Sequence, residues 1–198
     1  MKLVSLFAFA SLTVALVSFK YADSKEIKHT SNYEIDKDLS KLGWKGGKSA
    51  AYFHTGVVKF SSGSAVMDHG NVVSGEFVVD LSTIMVNDAG LPKEKQEGLA
   101  KHLKAEDFFN VAKYATARVT IGAYKDGKLA TTINVMGVDI KQDLPVTITT
   151  SDKGATITGK FDVDFTAAKI PGTQVHEGDK ESISPVFSFD LNLVLKTK

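Results

Sequence analysis

The side chains able to do chemistry in this 198-residue chain are few. There is no cysteine, which removes disulfides, thiol nucleophiles, thiolate metal sites and lipid attachment through an N-terminal Cys. Five histidines remain. His54 stands beside Tyr52 and Phe53, just before Gly56, in a stretch that alternates like a strand. A histidine there either hydrogen-bonds a backbone carbonyl or meets the head group of a ligand. His102 shares a helical face with Leu99 and Leu103. If His54 and His102 meet in space they could ligate a metal, or either could serve as a base beside a carboxylate such as Asp107. His176-Glu177-Gly178-Asp179 holds weak oxygen and nitrogen ligands and reads as a solvated polar turn. Gly43-Trp44-Lys45-Gly46-Gly47-Lys48-Ser49 resembles a phosphate-binding loop, but its first glycine stands one residue too close to Gly47-Lys48-Ser49. No parallel strand and helix flank it to form the cradle. G-x-S-x-G, H-E-x-x-H and G-x-G-x-x-G are all absent. No nucleophile stands beside a base, so the chain does not read as an enzyme.

Those residues must be positioned by strands. Phe187, Phe189, Leu191, Leu193 and Leu195 alternate with Ser188, Asp190, Asn192, Val194 and Lys196. A helix scatters five such side chains around its circumference, whereas a strand puts them on one face. Ile157, Gly159, Phe161, Val163 and Phe165 repeat the pattern, as do Val73, Gly75, Phe77, Val79 and Leu81. Shorter strands are expected over 50–60, 64–68, 119–124, 129–135 and 146–151. Turn chemistry separates them at Ser62-Gly63, His69-Gly70-Asn71, Asp126-Gly127 and Asp152-Lys153-Gly154. About eight strands joined mainly by tight hairpins predict an antiparallel sheet, because parallel crossovers need longer connections. The stretch Pro92 to Lys104, rich in Lys, Glu, Gln, Ala and Leu, predicts one helix. Ala167 to Pro185, with two Pro and two Gly, predicts a long loop.

Eight half-apolar strands must hide their faces in a sandwich or a closed barrel. An eight-stranded barrel is just wide enough to be filled by its side chains or to hold one small ligand. Gly75 and Gly159 on the apolar faces either leave room for a cavity or mark bulges and bends.

Composition narrows the class. With 43% hydrophobic and 24% charged residues, the chain has the make-up of one soluble globular domain. Its 24 basic and 23 acidic residues leave no excess to displace counterions, which argues against a nucleic-acid partner. Met1-Lys2 precedes an uncharged run from Leu3 to Phe19, followed by Lys20-Tyr21-Ala22-Asp23. That layout predicts a secretory signal over residues 1–22 and a mature domain over 23–198. The run is long for a signal core, and cleavage after Ala22 puts Lys20 where a small residue is preferred. An uncleaved N-terminal anchor is therefore the other outcome. Removing Lys2 and Lys20 would leave 22 basic residues against 23 acidic ones, a near-neutral exported protein.

Several short motifs fall in a familiar order: Tyr33-Glu34-Ile35-Asp36, Trp44, His54-Thr55-Gly56, Ser74-Gly75-Glu76-Phe77 and Val79-Asp80-Leu81-Ser82-Thr83-Ile84. The most specific stretch runs from Leu99 to Tyr114 and is similar to the signature HLkSxDFFdvxkYP. On these residues the chain resembles the YceI-like family, over roughly Ser31 to Lys198. Two positions depart from its pattern. Ala115 stands where proline is usual, which frees a φ angle that proline would fix. Ala105 stands where serine is common, which removes a hydrogen-bonding side chain at the helix end.

The resemblance implies a lipocalin-like, eight-stranded antiparallel barrel whose elongated apolar pocket holds a polyisoprenoid or isoprenoid-quinone chain. Export of the family's members agrees with the leader, so a periplasmic or secreted protein is expected. The residues themselves lead us to expect no metal and no cofactor other than that lipid. A prenyl chain has almost nothing to hydrogen-bond, so its affinity must come from buried hydrocarbon. Each five-carbon unit is worth roughly 3–4 kcal/mol gross. Candidate lining residues are Phe77, Val79, Phe161, Val163, Phe165, Phe187, Phe189 and Leu191, chosen because they occupy apolar faces. Phe108 and Phe109 follow the helix and either close one end of the barrel or pin the helix to it. His54 completes the set. Two other readings stand against a lipid carrier: a hydrolase or isomerase using His54 or His102, and an interaction domain with a filled barrel. Transient membrane contact and the choice between monomer and dimer are left open.

Overall fold

The computed structural model describes residues 30–49, 51–174 and 182–198. The expected leader and the His176–Asp179 turn lie outside the described residues. Ten antiparallel strands form one sheet: β1 (Thr30–Ile35), β2 (Lys41–Gly47), β3 (Phe53–Asp68), β4 (Asn71–Val86), β5 (Thr116–Lys125), β6 (Lys128–Val135), β7 (Val138–Pro145), β8 (Thr147–Ser151), β9 (Gly154–Asp164) and β10 (Val186–Thr197). One helix, α1 (Lys93–Lys104), interrupts them.

The sheet curls into a barrel because two of its strand places are shared. β1 and β2 both lie between β3 and β10, at different heights: β1 pairs with residues 64–68 of β3, β2 with residues 53–58. Asp36 breaks the pair apart, its carboxylate accepting the Asp38 and Leu39 N–H groups. β7 and β8 are separated by Val146 alone; β7 pairs with β6 and β8 with β9. The Gln142 side-chain amide then donates to Asp162 O on β9 at 2.6 Å, tying β7 across the remaining seam. Tight hairpins follow from positive-φ pairs at His69-Gly70, Asp126-Gly127 and Met136-Gly137.

Ten strands replace the eight read from the sequence, and three differences account for this. The pair Ser62-Gly63 is not a turn. It lies inside the continuous strand β3, where the register against β4 shifts between Phe60 and Ser62. Gly63 sits beneath the Phe77 ring, so the glycine marks a bulge where a side chain crosses. β1 and β2 are missed because one is polar with only Ile35 buried and the other carries three glycines. β7 is missed because Gln142 interrupts its alternation of Val138, Ile140 and Leu144.

Gly75 and Gly159 resolve the same way. A Cβ at Gly75 would stand 2.6 Å from Ser64 O, and one at Gly159 would stand 2.6 Å from Pro145 O. Both admit a neighbouring backbone, and neither makes room for a cavity.

The helix runs from just after Pro92, the residue that starts it in the sequence reading, to Lys104. Glu94 lies in its first turn and Lys101, His102 and Lys104 in its last, the charge order its dipole favours. Only Leu103 is buried on it. The expected long loop contains two short 3₁₀ turns, Thr166–Ala168 and Pro171–Thr173. Gly172 N–H donates to Asp107 O at 2.7 Å, which fastens that loop to the segment after α1. Among the described residues no helix is long and apolar enough to cross a membrane.

Candidate functional site

Period two along each strand sends every other side chain inward, and the inward set is almost wholly apolar. It encloses a chamber of about 140 Å³. β2 contributes Leu42 and Trp44; β3 Val58 and Phe60; β4 Phe77, Val79, Leu81 and Ile84. β5 adds Ala117, Val119 and Ile121, and β6 adds Leu129, Thr131, Ile133 and Val135. Leu144, Val146, Ile157, Phe161, Val163, Phe165, Phe187, Phe189, Leu191 and Leu193 complete the strand wall, with Leu103 and Phe109 across the helical end. The one hydroxyl among them, on Thr131, is already spent on Gln142 O at 2.5 Å.

An aromatic cluster builds one end. Phe161 and Phe189 stack at 6.1 Å, and Phe187 meets Phe165 edge-on at 5.7 Å and Phe108 at 6.3 Å. Phe108 and Phe109 meet edge-on at 5.1 Å. These are the offset geometries aromatic quadrupoles prefer. Phe187 can sit there because its neighbour Gly46 has no Cβ to collide with the ring.

A second cavity of about 200 Å³ adjoins the chamber and is more polar. Lys48, Tyr52, His54 and His102 line it together with Gly46, Gly47, Leu99, Phe108 and Ile183. Trp44, Leu103 and Phe187 line both spaces and so form the partition between them. Trp44 has a further peculiarity. Among the described residues its Nε1 is the one buried side-chain polar atom without a hydrogen-bond partner.

Both cavity histidines hold carboxylates. His54 Nδ1 lies 2.8 Å from Asp88 Oδ2, and His102 Nδ1 lies 3.3 Å from Asp107 Oδ2. The partner of His54 Nδ1 is a carboxylate, neither of the partners expected from sequence, and the pair ties β3 to the loop before α1. The His54 hydrogen bond, helped by the Gly90 N–H, holds the Asp88 carboxyl below its usual 3.8. A lowered acid stabilises the fold above its ordinary pKa and loses that contribution as pH falls through the lowered value. Asp88→Asn should accordingly lower the melting temperature near neutral pH, and the gap from wild type should close as the pH drops below 3.8. A gap unchanged down to strongly acidic pH would contradict the pairing.

Nine of the sequence candidates line the chamber: Phe77, Val79, Phe161, Val163, Phe165, Phe187, Phe189, Leu191 and Phe109. Phe108 and His54 stand instead on the second cavity. His54 and His102 do share that cavity, but no group of three or more His, Asp or Glu among the described residues is placed to hold a metal. Sequence reasoning gave Trp44 no place at the site, meeting it only inside the phosphate-loop lookalike and among the motifs that carry the family resemblance. The inward residues of β5 and β6 were readable from their alternation.

Among curated proteins none matches this chain. Solved structures share its fold at low identity. A polyisoprenoid binding domain from Saccharophagus degradans, implicated in plant cell wall breakdown, is 15% identical with a TM-score of 0.60, the match covering 84% of this chain and 98% of that one. BcnA of Burkholderia cenocepacia is 18% identical with a TM-score of 0.64, over 80% of this chain and 99% of its own. The family model for the YceI-like domain matches residues 33–195, most of the chain and all ten strands but the outer ends of β1 and β10. The chain belongs to the YceI-like domain family.

Proposed function

We propose that this protein is an exported carrier that encloses the prenyl chain of an isoprenoid lipid, with its leader over residues 1–22 directing it to the periplasm or out of the cell. The chamber carries the reading: a space inside the barrel walled by hydrocarbon, whose only hydroxyl is already hydrogen-bonded. Such a space gains nothing from a polar substrate and about 0.8 kcal/mol from each carbon it removes from water. An apolar cavity of about 150 Å³ stays dry and accepts benzene. At about 140 Å³ the chamber has room for one prenyl unit, and longer chains enter by parting its side chains. The polyisoprenoid binding named for the Saccharophagus domain, which shares the fold, agrees with this reading.

Binding is favoured over nucleophilic hydrolysis by the second cavity. Among the described residues that line it there is no serine or threonine, so its two histidines have no aliphatic hydroxyl nucleophile beside them. Native mass spectrometry of the full chain, expressed with its leader and purified from the exported fraction, tests the proposal. A one-to-one adduct of prenyl-lipid mass on a chain shortened by the leader is the expected spectrum. A bare mass that also fails to take up added isoprenoid quinone would overturn the carrier and favour a filled barrel.

A further inference from the structure

Trp44 is the centre of β2, paired with Phe189 on one side and Gly56 on the other. Gly56 leaves the indole its place: a Cβ there would stand 2.5 Å from Trp44 Cε2. The residue is 8% exposed, and its Nε1 has no acceptor among the described residues. An indole nitrogen can only donate, and leaving a buried donor unpaired costs about 1–3 kcal/mol. Natural folds seldom carry such a group without a reason.

Position supplies the reason. Trp44, Leu103 and Phe187 are the partition between the apolar chamber and the more polar cavity. Nε1 is covered. A tail too long for the chamber's 140 Å³ has to pass this indole, where the apolar lining gives way to the more polar cavity.

We infer that Trp44 is the residue that selects the head group: its Nε1 donates to a carbonyl oxygen of an isoprenoid quinone at the junction of head and tail, and so favours that lipid over a bare hydrocarbon or a phosphate. This rests on the carrier reading above. A neutral head suits the surroundings better than a phosphate does. His54 and His102 already face Asp88 and Asp107, and Lys48, the one lysine lining that cavity, is itself engaged.

Trp44 is the only tryptophan in the chain, so the indole N–H gives a single nitrogen-15 correlation peak. Three probes separate the outcomes: a short prenyl quinone, the prenyl hydrocarbon of equal length, and the prenyl monophosphate. The quinone is expected to move the indole proton downfield and slow its exchange, while the hydrocarbon does neither. Trp44→Phe changes the apolar wall for both ligands, so the readout is the ratio: the quinone should lose about fivefold to tenfold more affinity than the hydrocarbon does, the worth of one hydrogen bond. Should that variant fail to fold, the resonance of the unaltered protein decides alone. Equal binding of quinone and hydrocarbon with a stationary indole peak overturns the inference, as does preference for the phosphate. A peak already downfield in the empty protein and unmoved by the quinone means that water holds the donor, and overturns it too. If none of the probes enters, the carrier reading itself has failed.

Discussion

Ala117→Phe should abolish uptake of a short prenyl quinone while leaving the barrel folded. Ala117 is buried on β5 opposite Val79, with its methyl group on the chamber wall. The substitution adds a benzene-sized group to a space of about 140 Å³, close to the volume at which an apolar cavity accepts benzene. The ring therefore takes the place of the first prenyl unit. Losing that unit's burial removes roughly 3–4 kcal/mol, a drop of about 10²- to 10³-fold in affinity. Stability should change by only about 1 kcal/mol, because the ring enters existing space; overpacking a full core costs about 1–3 kcal/mol. Thr120→Phe, at an exposed position on the same strand, is the control and should retain uptake. Titration followed by tryptophan fluorescence, beside thermal melts, reads both quantities. Undiminished uptake by Ala117→Phe would move the lipid out of the barrel. A large loss of stability would instead mean that the chamber cannot hold an added ring.

Phe108→Ala and Phe109→Ala should part company although the residues are adjacent. Phe108 is 1% exposed and packs against His102, Phe109 and Phe187. The loop beyond β9 comes so close that a Cβ on Gly172 would stand 2.6 Å from the Phe108 ring. Truncation there leaves a void that helix, loop and strand cannot all collapse into, at a cost of about 3–5 kcal/mol. For a chain of this size that is a fall of about 10 °C in melting temperature. Phe109 is only partly buried and faces the chamber. Its removal should cost less than half as much and lengthen the prenyl chain the protein prefers, since it takes away part of the chamber's end wall. Urea denaturation and competition among prenyl quinones of graded length measure the two effects. Equal stability losses would show that both rings serve only to anchor the helix.

The two rings also mark what a single sequence can carry. Their place just after the helix, and the choice between closing the barrel and pinning the helix, were legible in the D-F-F stretch. Assigning one to the chamber and the other to the neighbouring cavity was not, because the chain turns between them and adjacent side chains diverge. The strand pattern was legible wherever alternation survives, as in β4, β6, β9 and β10, since only an extended chain puts every second side chain on one face. It failed at β1, β2 and β7, where pairing with neighbours holds strands whose own residues are polar, glycine-rich or interrupted. Ser62-Gly63 misled for a related reason. A glycine that marks a turn in isolation can equally let a neighbouring ring cross a continuous strand, and only the position of Phe77 distinguishes them.

Composition and periodicity by themselves determined that this is a mainly antiparallel β protein with one helix and a hydrocarbon-rich interior, since those properties follow from side-chain type and spacing. The motif order determined its resemblance. Tertiary structure alone decided that the interior keeps an open chamber, that His54 meets Asp88, and that Trp44 stands on the partition with its N–H unanswered. Void space, pairing across 34 residues of chain and a missing hydrogen-bond partner are properties of packing. They depend on which surfaces meet, and no local pattern along the chain encodes that.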